Sequence, residues 1–409
     1  MRVIHKIDLL LIFILFSSHF LSQRLNLLLI LMVFVYFLAT RNFKLNYKMP
    51  GYAIYFLFLI TALCIGLFYH SNEFYIIFKQ FYYFIMVFLY WYIGQQEAIT
   101  NKINISKFYT SIVSFSIFYC IYDLFLIIQN IKYLGSLDLN SFRMQIGGGS
   151  LIPVLSLYLL VSVNTEISLS KQTKRVSLFL FLVSILAHFS RTSLLVLLVL
   201  FLFSGIKFWT FKWFKYVVFV LVGVLGSYFA FPVLFDSFLG KILNTFTELS
   251  FKTSNWDNVS ITQNWRGYEV ACALQQFRNC SLFQQVFGSG FGTTLDAQGY
   301  AHLVSSEDTL SFLHNGYYTQ LLIWGVGGVV FLIIWFICFF RQSSKLMIKE
   351  KWFVRGMTVV IAIVTYFIMG PFFSNSLSLF YYFMGIVFTI GKNDTKDYDQ
   401  KMRNTFIEE

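Results

Sequence analysis

The chain has 409 residues, 57% of them hydrophobic and only 12% charged, with a mean hydropathy of +0.68, a composition that excludes a water-soluble enzyme. The 51 Phe and 25 Tyr stand against only 4 Pro. The apolar runs are continuous rather than alternating in ten-residue segments, so helices are expected and a β-barrel is not. The net charge of +12 would direct a soluble domain to nucleic acid, but in a membrane chain it is accounted for by topology, and no nucleic-acid partner is expected.

The N-terminus, MRVIHKIDLLLIFILF, starts like a signal peptide but lacks a small-residue cleavage site and runs straight into another apolar stretch, so it reads as a retained first helix. Twelve stretches are apolar enough for spans, at about 7–21, 25–40, 51–69, 74–93, 108–129, 150–165, 176–190, 192–206, 216–232, 316–340, 355–373 and 376–391. With the N-terminus inside, the inner links take 22 of the 31 Lys and Arg, and the bias holds at every inner link. The expected fold class is therefore all-α. It is a polytopic membrane helix bundle of about 12 transmembrane helices, with both termini cytoplasmic and one large loop outside. The domain boundaries follow: 1–232 for helices one to nine, 233–315 for the loop, 316–391 for helices ten to twelve and 392–409 for a cytoplasmic tail.

The loop is the only long polar interruption, so the extramembrane chemistry is expected there. Phe235, Phe238, Leu239, Ile242, Leu243, Phe246 and Leu249 form one apolar stripe at helical spacing, which should lie along the membrane surface. A second helix is expected over about Trp265 to Phe277, followed by the glycine turn GSGFG (Gly288, Gly290, Gly292). The glycine spacing fits neither a P-loop nor a dinucleotide fingerprint, and a plain turn is preferred over a phosphate cradle. The five cysteines show no metal-ligand spacing, and no metal or cofactor is implied. Cys272 and Cys280 share the loop, but their spacing, partly on a helix, usually keeps thiols apart; whether they pair is left open.

Topology gathers a set of ionisable residues toward the outer face: Lys79 and Asp123 inside spans, His188 and Arg191 around a very short link, then Arg266 and His314 in the loop. Lys79 reads equally as a snorkelling side chain, Asp123 as its structural partner, and His188 as an interfacial histidine. Arg191, in HFSRTS, runs against the positive-inside trend and calls for an anionic partner. Arginines bind phosphate oxygens bidentately, and histidine suits removal of a proton from a sugar hydroxyl, so the set points to glycosyl transfer from a lipid diphosphate.

SRTSLLVLLVLFLF, NWRGYEVACALQQF followed by FGSGFGTTLD, and FLHNGYYTQLLIWGVGGVVFLIIWF together resemble the shared region of the bacterial O-antigen polymerase and O-antigen ligase superfamily, over about residues 180–340. The resemblance implies a metal-independent, membrane-integral glycosyltransferase. It would use undecaprenyl-diphosphate-linked saccharide at the periplasmic face of the bacterial inner membrane. By matching position it implies Arg191 and Arg266 as diphosphate binders that stabilise the leaving group, and His314 as the group that activates or orients the acceptor hydroxyl. Asn315, Lys79 and Asp123 join Arg191 and Arg266 as candidate substrate-binding residues. Trp324 stands where relatives often carry a charged residue, and no role is carried to it. The wording FLHNGYY favours a polymerase of the Wzy type, with a chain-length regulator as a possible protein partner. A ligase that moves glycan to lipid A core is the alternative. A non-enzymatic flippase is a third reading, against which the single polar segment, without a second copy, counts.

Overall fold

The computed structural model describes residues 7–43, 48–130, 145–146, 150–188, 190–203, 240, 256–303, 308–367 and 377–392. Its helices, in chain order, are α1 (Leu9–Phe20), α2 (Gln23–Thr40), α3 (Tyr52–Tyr69), α4 (Phe74–Thr100), α5 (Ile105–Gln129), α6 (Leu151–Ser162), α7 (Lys171–Ala187) and α8 (Arg191–Phe203). There follow α9 (Asn258–Gln263), α10 (Trp265–Asn279), α11 (Leu282–Phe287), α12 (Gly316–Ser343), α13 (Ile348–Phe367) and α14 (Leu377–Lys392). Among the described residues the only β feature is an isolated antiparallel bridge between Leu295 and Leu310. Five helices, α2, α3, α4, α5 and α12, are long and apolar enough to cross a membrane. Helices α1, α6, α8 and α14 are apolar but shorter. The apolar stretch at 216–232 and the Phe235–Leu249 stripe lie outside the described residues.

The chain divides into two units: Met1–Phe20 with Ile103–Phe246, and Leu21–Lys102 with Thr247–Glu409. In the first unit α5 packs against α1, α6 and α7, and α6 also meets α7 and α8. Helix α6 is the centre of this unit, with every residue from Leu151 to Leu160 buried. Pro153 sits in its first turn, where a missing backbone N–H costs nothing. Polar anchors fix the ends of the helices. Asp8 caps α1 through Leu10 N and Leu11 N and meets Lys107 Nζ at 3.0 Å, while Ser150 caps α6 and lies 2.7 Å from His19 Nε2.

The second unit is built on α3, α4 and α12. Their contact is aromatic: the Tyr55 ring lies 5.2 Å from Trp335 and Phe84 lies 4.8 Å from Trp324, while Trp335 also lies 5.5 Å from Tyr381 of α14. Trp335 Nε1 donates to Pro50 O at 2.9 Å, so the indole is satisfied as well as packed. On α2, Leu25, Leu28, Met32, Val35 and Tyr36 remain exposed, as a lipid-facing surface requires.

Between α9 and α12 the polar segment forms a small core of its own. Ile261, Tyr268, Cys272, Ala273, Leu295, Ala297, Leu310 and Leu313 are buried together, with Trp256, Trp265 and Tyr300 against them. The Leu295–Leu310 bridge closes it with two backbone bonds of 2.8 and 2.9 Å. Cys272 and Cys280 are free thiols here; Cys272 belongs to this core, and burial pushes its thiol above the ordinary value.

Candidate active site

Asn264 opens α10 by accepting from Gly267 N at 3.1 Å, which sets the phase of the helix. One turn on, Glu269 is 1% exposed, and its carboxylate is held by three donors: Trp265 Nε1 at 2.8 Å, His314 N at 3.1 Å and His314 Nδ1 at 2.9 Å. Trp265 and Glu269 meet because residues four apart share a helix face. A carboxylate that faces Nδ1 fixes the proton there and leaves Nε2 with its lone pair. The imidazole keeps 30% of its surface accessible, so the dyad consists of a buried carboxylate and a histidine open on its other side. Sequence reasoning missed Glu269, which reads as an ordinary polar residue of α10; its spacing from Trp265 and Arg266 was the available signal.

Arg266 is the second residue of α10, and Arg191 is the first of α8. Neither first turn contains an acidic residue. Arg266 lies one turn from Glu269, so it shares the His314 region of the second unit. Arg191 belongs to the first unit. Its link is fixed by a buried cluster in which Asp123 accepts from Ser184 Oγ and lies 2.8 Å from His188 Nε2. Asp123 is 1% exposed, an arrangement suited to holding the α7–α8 link. Lys79 Nζ stands over the rings of Tyr75 and Phe312, at 5.9 and 5.7 Å, just ahead of His314. Asn315 caps α12, its side chain accepting from Tyr317 N at 3.0 Å.

The glycine turn is a structural plug. Helix α12 breaks at Gly325 (φ 66°), and the break withdraws the carbonyls of Leu322 and Ile323 from the helix ladder. Ser289 N and Gly290 N donate to them at 2.9 and 3.0 Å, while Phe291 N reaches Ala62 O at 2.9 Å. Gly292 N donates to Gln80 Oε1 at 2.8 Å. With these amides committed to the protein, the turn has none of them to offer a phosphate. Burial pushes His70, whose Nε2 lies 3.3 Å from Thr293 Oγ1, below its ordinary value, opposed by the Ser289 backbone and the Glu73 charge. Gln80, fully buried in α4, also donates Nε2 to Thr293 O and Ser311 O at 2.9 and 2.8 Å. Gln80→Leu strips partners from three buried backbone groups, at about 1–3 kcal/mol for each group left unsatisfied. Its melting temperature in detergent is expected to fall clearly, and an unchanged value would refute the clamp.

Among the described residues no three His, Cys, Asp or Glu side chains converge to hold a metal ion. Five helices long and apolar enough to cross a membrane, four of them in the second unit and α5 in the first, together with the shorter apolar helices, indicate a multi-pass membrane protein. Residues 176–336 match the sequence model of the family described as O-antigen ligase, which supports the resemblance to the O-antigen ligase and polymerase superfamily. The matched segment takes in Arg191, Arg266, Glu269 and His314, and leaves out Lys79 and Asp123. No curated protein matches the chain.

Proposed function

We propose that this protein is a membrane-integral glycosyltransferase that moves saccharide from undecaprenyl diphosphate to a sugar hydroxyl at the periplasmic face of the inner membrane. Within that class we read it as a polymerase of oligosaccharide repeat units. The observation that carries the reading is the His314–Glu269 dyad one helical turn from Arg266. His314 Nε2 takes the proton of the acceptor hydroxyl, whose oxygen attacks the anomeric carbon as the bond to the diphosphate breaks. Glu269 holds the imidazole in the required tautomer and stabilises the imidazolium that forms. Negative charge grows on the departing diphosphate, and Arg266 supplies fixed positive charge to it, with no metal ion required; Arg191 is kept as a candidate diphosphate binder. Asn315 and Lys79 are kept as candidate substrate contacts, Asp123 as a positioning residue, and a chain-length regulator as a partner.

The ligase reading is the second one, since the matched family is described as O-antigen ligase. A gel of surface polysaccharide, with a parallel extract of lipid-linked saccharide, from cells lacking this chain separates the two. Lipid A core bearing one repeat unit, with no ladder, supports the polymerase. Bare core with long polymer on the carrier supports the ligase, and single units trapped on the cytoplasmic leaflet favour a flippase.

Arg191→Lys and Arg266→Lys are each expected to transfer poorly at normal protein level, because an ammonium cannot reproduce the two-pronged grip on phosphate. Wild-type rates in both variants would reduce the arginines to anchors.

A further inference from the structure

Helix α11, LFQQVF, has its polar and apolar faces the wrong way round for a helix in water. Gln284 and Ser281 close a capping box, and Gln285 Nε2 donates back to Arg278 O and Cys280 O at 3.3 and 3.0 Å, so the polar groups are spent on the protein. The large apolar side chains point away: Leu282 is 80% exposed, Phe283 51%, and Val286 and Phe287 are also exposed. The location of α11 explains this inversion. Its C-terminal carbonyls lie against α12 where α12 breaks, since a Cβ on Gly325 would stand 2.5 Å from Val286 O and 2.6 Å from Gln285 O. The turn that follows passes Gly66, near the end of α3, where a Cβ would stand 2.1 Å from Phe291 O.

Depth along the helices follows from these contacts. At 1.5 Å per residue, Ile323 to Gly327 lie about 10–16 Å from the start of α12, and Ala62 to Gly66 about 4–10 Å from the end of α3. Helix α3, with 18 residues, is about 27 Å long, no longer than a hydrocarbon core of about 30 Å. The contact zone thus falls below the hydrocarbon boundary. Beside it the exposed stripe of α12 (Val326, Val330, Ile333) and that of α3 (Leu57, Ile60, Leu67) continue the apolar face of α11.

We propose that α11 is a re-entrant helix submerged in one leaflet, with Leu282, Phe283, Val286 and Phe287 against lipid acyl chains. Its backbone at that depth is tolerated because the polar side faces protein. The polar segment is thereby pinned to the hydrocarbon, whatever reaction the protein catalyses.

The test uses the full chain in lipid nanodiscs, with Cys64, Cys280 and Cys338 replaced by Ser. With the buried Cys120 and Cys272 retained, one added cysteine at a time, Leu282→Cys, Phe283→Cys or Val286→Cys, carries an environment-sensitive fluorophore; Gln275→Cys and Gln298→Cys, both exposed positions on the polar segment, serve as controls, and the protein without an added cysteine sets the background. The α11 labels should emit at shorter wavelength and lose emission when the acyl chains are brominated, whereas the controls keep theirs. Unquenched labels that form as readily as at Gln275→Cys with a membrane-impermeant reagent would overturn the proposal. Labels shielded from both reagent and bromolipid would also overturn it, in favour of a protein partner such as a second copy. In the unaltered protein, a lipid with a photoreactive acyl chain should leave adducts on the peptide spanning 282–287; adducts confined to α3 and α12 would count against it.

Discussion

His314→Ala is expected to lower the rate of saccharide transfer by about 10²–10⁴-fold, the usual worth of a positioned proton acceptor. Protein level should stay near wild type, because the ring keeps 30% of its surface accessible, while the melting temperature drops modestly because the buried Glu269 carboxylate loses one of its three donors. Glu269→Gln separates positioning from binding. It keeps one carbonyl oxygen for Trp265 or His314 N but turns an amide N–H toward one of the existing donors, which costs about 1–3 kcal/mol and frees the imidazole to change tautomer. Its kcat should fall with KM for the lipid-linked donor nearly unchanged, measured as release of lipid diphosphate by the purified protein. A variant that raises KM alone, or that only lowers the melting temperature, would make Glu269 a structural residue and remove the dyad from the chemistry.

The second large effect is on folding. Gly290→Ala places a methyl 2.3 Å from Gly66 N and 2.8 Å from Ala62 O, both backbone atoms that cannot swing aside. Its φ of +79° adds about 1–3 kcal/mol for any L residue. Gly299→Ala is the control: its φ is +85°, but nothing lies within 4 Å of the added methyl, so it loses the conformational term alone. Little or no folded Gly290→Ala protein is expected after detergent extraction, against a modest drop in melting temperature for Gly299→Ala. Equal effects would show that the close approach of the turn to α3 carries no stability.

Much of the helical fold is written in the apolar runs, because a backbone in lipid must satisfy itself and a long apolar stretch has little alternative to a helix. Arg266 and His314 stand out for the same reason: a few charged or titratable groups in an apolar chain need an explanation. Glu269 and Gln80 do not stand out. Each makes hydrogen bonds to groups 45 or more residues away, and beyond the Trp265–Glu269 spacing no local pattern announces a partner. The preference for a plain turn at GSGFG rested on glycine permissiveness alone. The reason it holds, that carbonyls released by a break in α12 consume the amides, depends on a tertiary contact that no local spacing encodes. The small core around Tyr268 was likewise hidden, since its members are scattered over some 60 residues of polar sequence.

The break at Gly325 also constrains biogenesis. A nascent α12 that entered the bilayer alone would carry the carbonyls of Leu322 and Ile323 unsatisfied in hydrocarbon, and their donors, Ser289 and Gly290, are made more than thirty residues earlier. The break is therefore expected to form only as the loop docks on α12, which cannot precede synthesis of residue 325. Translation order places this event ahead of the packing of Tyr381 on Trp335, and truncation just before Gly316 should leave α3 and α4 inserted but their shared face open to quality-control proteases.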